Sequence, residues 1–305
     1  MSDEKIMRRI ALMNQKGGVG KTTTAVNLAA AIAQKGRPTL LVDLDPQAHA
    51  TLHLGVDPDD VDVSIYDLLL DEDRDPHEAV IEARPNLGLL ASETDLAAAE
   101  SELNQADRRH ERLDRALARL EGRYEFVIID CPPSLGLLTM NGLVGAREVI
   151  IPMQAHFLAL QGLGKLLETV SMVRQQLNPK LRVTGVVLCM HDAQATHTRE
   201  VVSDMDTFFA SARDDAASPW RYARVFKPAI RRNIKLAEGP SFGQTIFDYA
   251  PAAAGAADYA ELADTLLREW DRLLDKRREL SQVSTPGKPE VHVVLSNAPS
   301  EELNR

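Results

Sequence analysis

Residues 16–23 read K-G-G-V-G-K-T-T, set between an apolar run, Ile10–Met13, and a helical pattern from Ala25 to Ala33. No other stretch constrains the fold as strongly. A glycine-rich turn that must leave a buried-type strand and enter a helix is the setting of a phosphate-binding loop. Gly17, Gly18 and Gly20 let the backbone curl so that several N–H groups face one concavity, and the dipole of the following helix adds positive potential there. Within such a loop Lys21 reaches the β- and γ-phosphates and the Thr22 hydroxyl can ligate Mg²⁺. The usual pattern has a glycine six residues before this lysine, where the present chain has Gln15. Beside the first glycine stands a second lysine, Lys16, which sits too near along the loop to duplicate Lys21 easily.

The rest of the chain alternates strand and helix. Apolar runs fit buried strands at Ile10–Met13, Thr39–Val42, Leu87–Leu90, Phe126–Ile129, Val149–Pro152, Val183–Cys189 and Ala223–Phe226, and helical patterns lie near 21–35, 95–121, 136–146, 160–177, 198–212 and 255–278. Such alternation predicts an α/β fold, a mostly parallel central sheet with helices on both faces. Ligands then gather at the carboxyl ends of the strands. With 305 residues the chain can bury a core of that size, and residues 1–280 read as one domain. The acidic stretch Asp57–Pro76 is expected to be a surface excursion, and residues 281–305 a polar, disordered tail carrying one apolar island, Val291–Leu295.

Composition, 44% hydrophobic and 26% charged, is that of a globular protein, and no apolar run reaches the length of a membrane span. The opening M-S-D-E-K passes straight into a strand pattern, unlike a secretory signal, so a cytoplasmic location is expected. Two cysteines, Cys131 and Cys189, cannot build a disulfide framework, and neither has metal-like spacing. The net charge of −10 argues only weakly against a nucleic-acid partner, because a local basic patch can serve an acidic protein.

Two acidic motifs fall at strand ends. V-D-L-D-P-Q supplies Asp43 and Asp45, which alternation places on one side of the strand, although the turn at Pro46 leaves the second carboxylate freer. F-V-I-I-D-C-P-P-S ends a buried-type strand in Asp130, the Walker B layout, whose carboxylate holds Mg²⁺ opposite the Thr22 hydroxyl. Pro132 and Pro133 fix φ and remove two donors, so neither strand nor helix simply continues there. Cys131, beside this acid, is read as a packed small residue, since too few cysteines exist for an iron–sulfur cluster. Further on, Arg221–Lys235 holds six cations (Arg221, Arg224, Lys227, Arg231, Arg232, Lys235) and no acid.

These segments together resemble the ParA/Soj proteins within the ParA/MinD group of deviant Walker A P-loop ATPases, over roughly residues 8–270. The resemblance rests on K-G-G-V-G-K-T-T, D-L-D-P-Q, D-C-P-P-S, I-I-P-M-Q-A, V-V-L-C-M-H-D and I-R-R-N-I-K-L-A-E-G-P-S-F-G. It implies that Gly17, Gly18, Val19, Gly20, Lys21, Thr22 and Thr23 bind ATP, with Lys21 acting in cis and Lys16 reaching the ATP of a second subunit in a sandwich dimer. It also implies that Asp45 positions the attacking water. Asp43 is then expected to partner Mg²⁺-bound water or a loop cation, joining Thr22 and Asp130 in the metal set. Asp192 and the loop at Phe226–Pro228 are candidates for the adenine base, with His191 standing where the family has tyrosine. Arg224, Lys227, Arg231, Arg232 and Lys235 are candidates for non-specific DNA contact, and a Pro of the family pattern has become Arg231. Two copies would present about a dozen cations, giving strongly salt-dependent binding. The implied partners are DNA, a second copy of the chain in the ATP state and a ParB-like adaptor that stimulates slow hydrolysis, with nucleoid association and no membrane. The alternatives are a DNA-bound ATPase that positions a protein cargo, a MinD-like membrane-cycling ATPase, and a metabolic P-loop ligase or reductase.

Overall fold

The computed structural model describes residues 6–156, 159–192 and 196–283. Eight strands form one sheet: β1 (Arg8–Leu12), β2 (Thr39–Asp43), β3 (Val80–Arg84), β4 (Leu87–Leu90), β5 (Phe126–Asp130), β6 (Glu148–Met153), β7 (Arg182–Leu188) and β8 (Arg224–Val225). Their order is β3-β4-β2-β5-β1-β6-β7-β8, and all neighbours are parallel except β3 with β4. The central strands β1, β2 and β5 are buried at every position, as continuous apolar runs covered on both faces require. Two arginines nevertheless lie inside β1, and both are paired. Arg8 donates to Glu148 at 3.0 and 2.8 Å, and Arg9 meets Asp114 at 2.6 Å and Glu121 at 3.0 Å. Unpaired, either charge would incur a desolvation cost of several kcal/mol.

The helices are α1 (Lys21–Gln34), α2 (His49–His53), α3 (Ile65–Leu70), α4 (Leu96–Glu102), α5 (Arg112–Arg119), α6 (Leu137–Gly145), α7 (Ala159–Gln176), α8 (Thr196–Ser211), α9 (Lys235–Glu238), α10 (Ile246–Tyr249) and α11 (Ala254–Val283). Of the described residues, those up to Thr265 belong to one compact unit and those from Leu266 to Val283 to a second. The tail read from 281 lies, beyond Val283, outside the described residues.

Three local readings change. The single helix anticipated over 95–121 is broken between α4 and α5, where Arg108 takes a left-handed conformation. Asn141 of α6 satisfies the break from across the structure, donating to the Arg109 carbonyl at 2.7 Å and accepting from the Leu113 N–H at 3.2 Å. The acidic excursion is only partly superficial, because Ser64 caps α3 in a box with Asp67 and Ile65, Leu68 and Leu69 are buried in the core. Finally, β3 is an antiparallel edge strand joined to β4 through the turn Pro85-Asn86, with Asn86 at φ 61°.

Candidate functional site

β1, β2 and β5 bring their carboxyl ends to one place. Parallel pairing sets Leu12 level with Asp130 and Asp43 level with Asp130, so the phosphate-type loop leaves the sheet beside both acidic motifs. The loop is pinned from below: Val19 is buried, Asn14 donates to the Pro152 carbonyl at 2.7 Å and accepts from the Lys16 N–H at 3.0 Å. Gln154 donates to the Gly18 carbonyl at 3.2 Å. Gly18 and Gly20 have φ of 72° and 91°, and a Cβ at Gly20 would sit 3.2 Å from the Cys189 Cβ. Only glycine meets both demands without strain. No side chain caps α1 and no acid lies in its first turn, so its N-terminal amides and dipole face the concavity.

The two lysines of the loop end in different places. Lys21 is buried, with Nζ 2.8 Å from Asp130 Oδ1 and 4.0 Å from Asp45 Oδ2. Burial alone would lower its pKa, but the charge and hydrogen bond of Asp130, with the charge of Asp45, raise it above the ordinary lysine value. Lys16 lies at the surface with Nζ 2.8 Å from His156 Nε2.

The three carboxylates are also unlike one another. Asp130 is buried and its Oδ2 has no hydrogen-bond partner among the described residues, the kind of orphaned acceptor a cation site needs. Asp45 accepts the Gln47 N–H on Oδ1 at 3.1 Å, which closes the turn, while its Oδ2 faces Lys21. Asp43, expected to partner Mg²⁺-bound water or a loop cation, accepts hydrogen bonds from the residues that follow β2. Its Oδ1 accepts the Asp45 N–H at 3.1 Å, and its Oδ2 accepts the Thr51 N–H and hydroxyl at 2.8 and 2.9 Å. Burial and the neighbouring Asp130 push its pKa up to about 7 against those bonds. Both oxygens thus accept from the chain that follows β2, Oδ1 from the turn and Oδ2 from α2. Among the described residues no group of three or more His, Cys, Asp or Glu could hold a metal ion. Thr22, half-buried at the start of α1, and the unpartnered Oδ2 of Asp130 are oxygen donors of the kind that magnesium takes.

Beside the loop lies a cavity of about 290 Å³ lined by Gly20, Thr23, Cys189, Met190, Tyr259 and the stretch 230–234. Neither Asp192 nor Pro228, the expected base contacts, is among its lining residues. Thr24 ties its floor together, 3.1 Å from the Tyr259 hydroxyl and 3.4 Å from Cys189 Sγ. Burial pushes the Cys189 thiol up to about 11 and that of Cys131 up to about 12, so both stay protonated packing groups.

The basic segment is less uniformly cationic than its sequence. Arg231 grips the buried Asp258 of α11 through its N–H at 2.9 Å and its guanidinium at 3.0 and 2.6 Å. Lys235 pairs with Glu238 at 2.8 Å, and the Arg224 guanidinium lies 4.6 Å from the centre of the Phe226 ring. Lys227 and Arg232 are exposed and make no ion pair among the described residues. Asn14, Thr51, Ser92 and Asp258 support the site without having been singled out in the sequence, and so does Gln154, which the sequence showed only as part of a longer motif. Of these, Gln154 had a local signal, its place in the strand-end P-M-Q-A.

A family model described as an AAA domain matches residues 7–183. Soj, the sporulation initiation inhibitor protein of Bacillus subtilis, is 44% identical over 256 residues, covering 83% of this chain and 96% of that protein. ParA, the chromosome partitioning protein of Myxococcus xanthus, is 42% identical over 272 residues, covering 89% and 92%. Among solved structures, one named as cobyrinic acid a,c-diamide synthase of Mycobacterium smegmatis, with bound ATP analogue and magnesium, is 40% identical. It superposes with a TM-score of 0.73 over 87% of this chain and 96% of that one. MinD of Pyrococcus horikoshii, complexed with Mg-ADP, superposes with a TM-score of 0.66 at 25% identity, covering 86% and 96%. With a nucleotide-type loop, two acidic strand tips and identities of this extent, the chain belongs to the Soj/ParA family of chromosome-partitioning P-loop ATPases.

Proposed function

We propose that the chain is an ATP-dependent switch that dimerises, binds DNA without sequence preference in the ATP state and releases it on hydrolysis, in the service of chromosome or plasmid partition. The observation that carries this reading is the divergence of the two loop lysines. Lys21 is buried over Asp130 and Asp45, where it serves the phosphates of its own subunit, while Lys16 stands at the surface, where a second subunit can present its nucleotide. The main-chain N–H groups of residues 17–23 cradle the phosphates, and Thr23 opens onto the apolar cavity that takes the base. Magnesium, held by the Thr22 hydroxyl and by Asp130, would neutralise charge on the β- and γ-phosphates. Asp45 orients the water for attack. Turnover is slow until a ParB-like adaptor engages the dimer. Among the described residues no helix is long and apolar enough to cross a membrane.

Lys16→Ala should leave ATP affinity nearly unchanged and abolish the ATP-dependent dimer. Equilibrium nucleotide binding and size-exclusion chromatography with light scattering measure the two separately. Normal ATP-dependent dimers from this variant would overturn the trans role of Lys16. The name of the M. smegmatis structure supports a second reading, synthesis of a small-molecule diamide. Phosphate release that requires a small carboxylic acid and ignores DNA would favour it.

A further inference from the structure

Asp45 is held at both ends of its backbone by a ring of buried hydrogen bonds. Its N–H donates to Asp43 Oδ1 at 3.1 Å, and Asp43 Oδ2 accepts the Thr51 hydroxyl at 2.9 Å. Thr51 Oγ1 in turn accepts the Ser92 N–H at 3.0 Å, and the Ser92 hydroxyl donates to the Asp45 carbonyl at 2.7 Å, closing the ring where it began. Its members come from three places: the end of β2, helix α2 and the residues after β4. Asp43, Thr51 and Ser92 are each 0% exposed. Each hydroxyl has one proton, and each proton has one acceptor within the ring, so the direction of every bond is fixed. Water cannot substitute readily for a missing member at a site so dry, and a half-satisfied network is worse than none. With its main chain clamped and Oδ1 on the Gln47 N–H, Asp45 is left one oxygen, Oδ2, facing Lys21 at 4.0 Å.

We infer that Thr51 and Ser92 are positioning residues that fix Asp45 for its work on the attacking water. This rests on the reading of Asp45 given above. Neither residue touches the loop Gly17–Thr23 through any of these bonds, so nucleotide affinity is spared when they are altered. Turnover is not spared, because a displacement of about 1 Å in a group that orients a reactant costs on the order of a hundredfold.

The test compares Ser92→Ala, Thr51→Val, Thr51→Ser and Asp45→Ala in steady-state ATP hydrolysis, with the thermal midpoint of each. Ser92→Ala and Thr51→Val should lower kcat by about tenfold to a hundredfold while KM for ATP stays within about threefold. Thr51→Ser keeps the hydroxyl and should return kcat to within about threefold of the parent protein. That rescue is not expected of a residue that merely fills space. A kcat unchanged in Ser92→Ala, or a loss in Thr51→Val that Thr51→Ser fails to restore, would overturn the inference. If Thr51→Val does not fold, Ser92→Ala, which removes a single hydroxyl, decides alone. Undiminished hydrolysis in Asp45→Ala would overturn the role of Asp45 itself. Loss in Asp45→Ala alone would overturn only the positioning.

Discussion

Charge is concentrated in two regions of this molecule, and they handle it in opposite ways. At the strand tips Asp43, Asp45, Asp130 and Lys21 converge from β2, the turn after it, β5 and the start of α1 into a buried cluster. Each member there has a distinct partner, and the register of the parallel sheet enforces the arrangement. In segment 221–235 the cations lie along a surface run, and their partners come from wherever the fold happens to bring an acid. Arg231 is claimed by Asp258 and Lys235 by Glu238, whereas Lys227 and Arg232 stay uncommitted among the described residues. A buried cluster defines its chemistry by geometry, while a surface run defines only an upper bound on the charge it can offer.

The largest effect should come from breaking the buried side of this comparison. Lys21→Ala removes the buried lysine proposed to meet the phosphates and leaves Asp43, Asp45 and Asp130 around the site. ATP affinity should fall by at least about a hundredfold, since more than one charge-assisted hydrogen bond is lost. Equilibrium titration with a fluorescent ATP analogue measures it, and binding within about tenfold of the parent would remove Lys21 from the phosphate site.

On the surface side, neighbouring arginines should behave differently. Arg231→Glu sets a carboxylate against the buried Asp258, 4% exposed, and should lower the thermal midpoint by roughly 5 °C. Arg232→Glu should leave the midpoint within about 2 °C and instead weaken DNA binding, because that side chain makes no ion pair among the described residues. Differential scanning fluorimetry with a DNA-binding assay separates the two outcomes. Equal midpoints for both variants would show that the Arg231–Asp258 pair contributes nothing to stability.

The same contrast governs what could be read from the amino-acid sequence. The sheet, seven of its strands and the nucleotide-type loop were legible because each rests on local chemistry: an apolar run, a glycine, a carboxylate at a strand end. Edge strand β3 was missed although V-I-E-A-R-P-N-L-G-L-L carries a turn signal between two strand-like runs. Its two charges, Glu82 and Arg84, and its lack of a fully buried position hid it. The use of Asp43 was not legible, since Thr51 lies eight residues on and meets it only because α2 folds back over the strand end. Ser92 and Asp258 are farther still, 47 and 27 residues from the groups they hold. In the basic segment the count of cations was correct, but their neutralisation depended on acids that α9 and α11 bring in.

The central claim, that nucleotide state controls a DNA-binding surface, is tested most directly by equilibrium binding of the unaltered protein to random-sequence duplex DNA. The measurement is made with ATP, with ADP and without nucleotide, between about 50 and 200 mM salt. Binding should require ATP and fall with a log–log slope of about −0.9 for each phosphate neutralised. Binding that is equal in all three nucleotide conditions, or absent in all of them, would contradict the account.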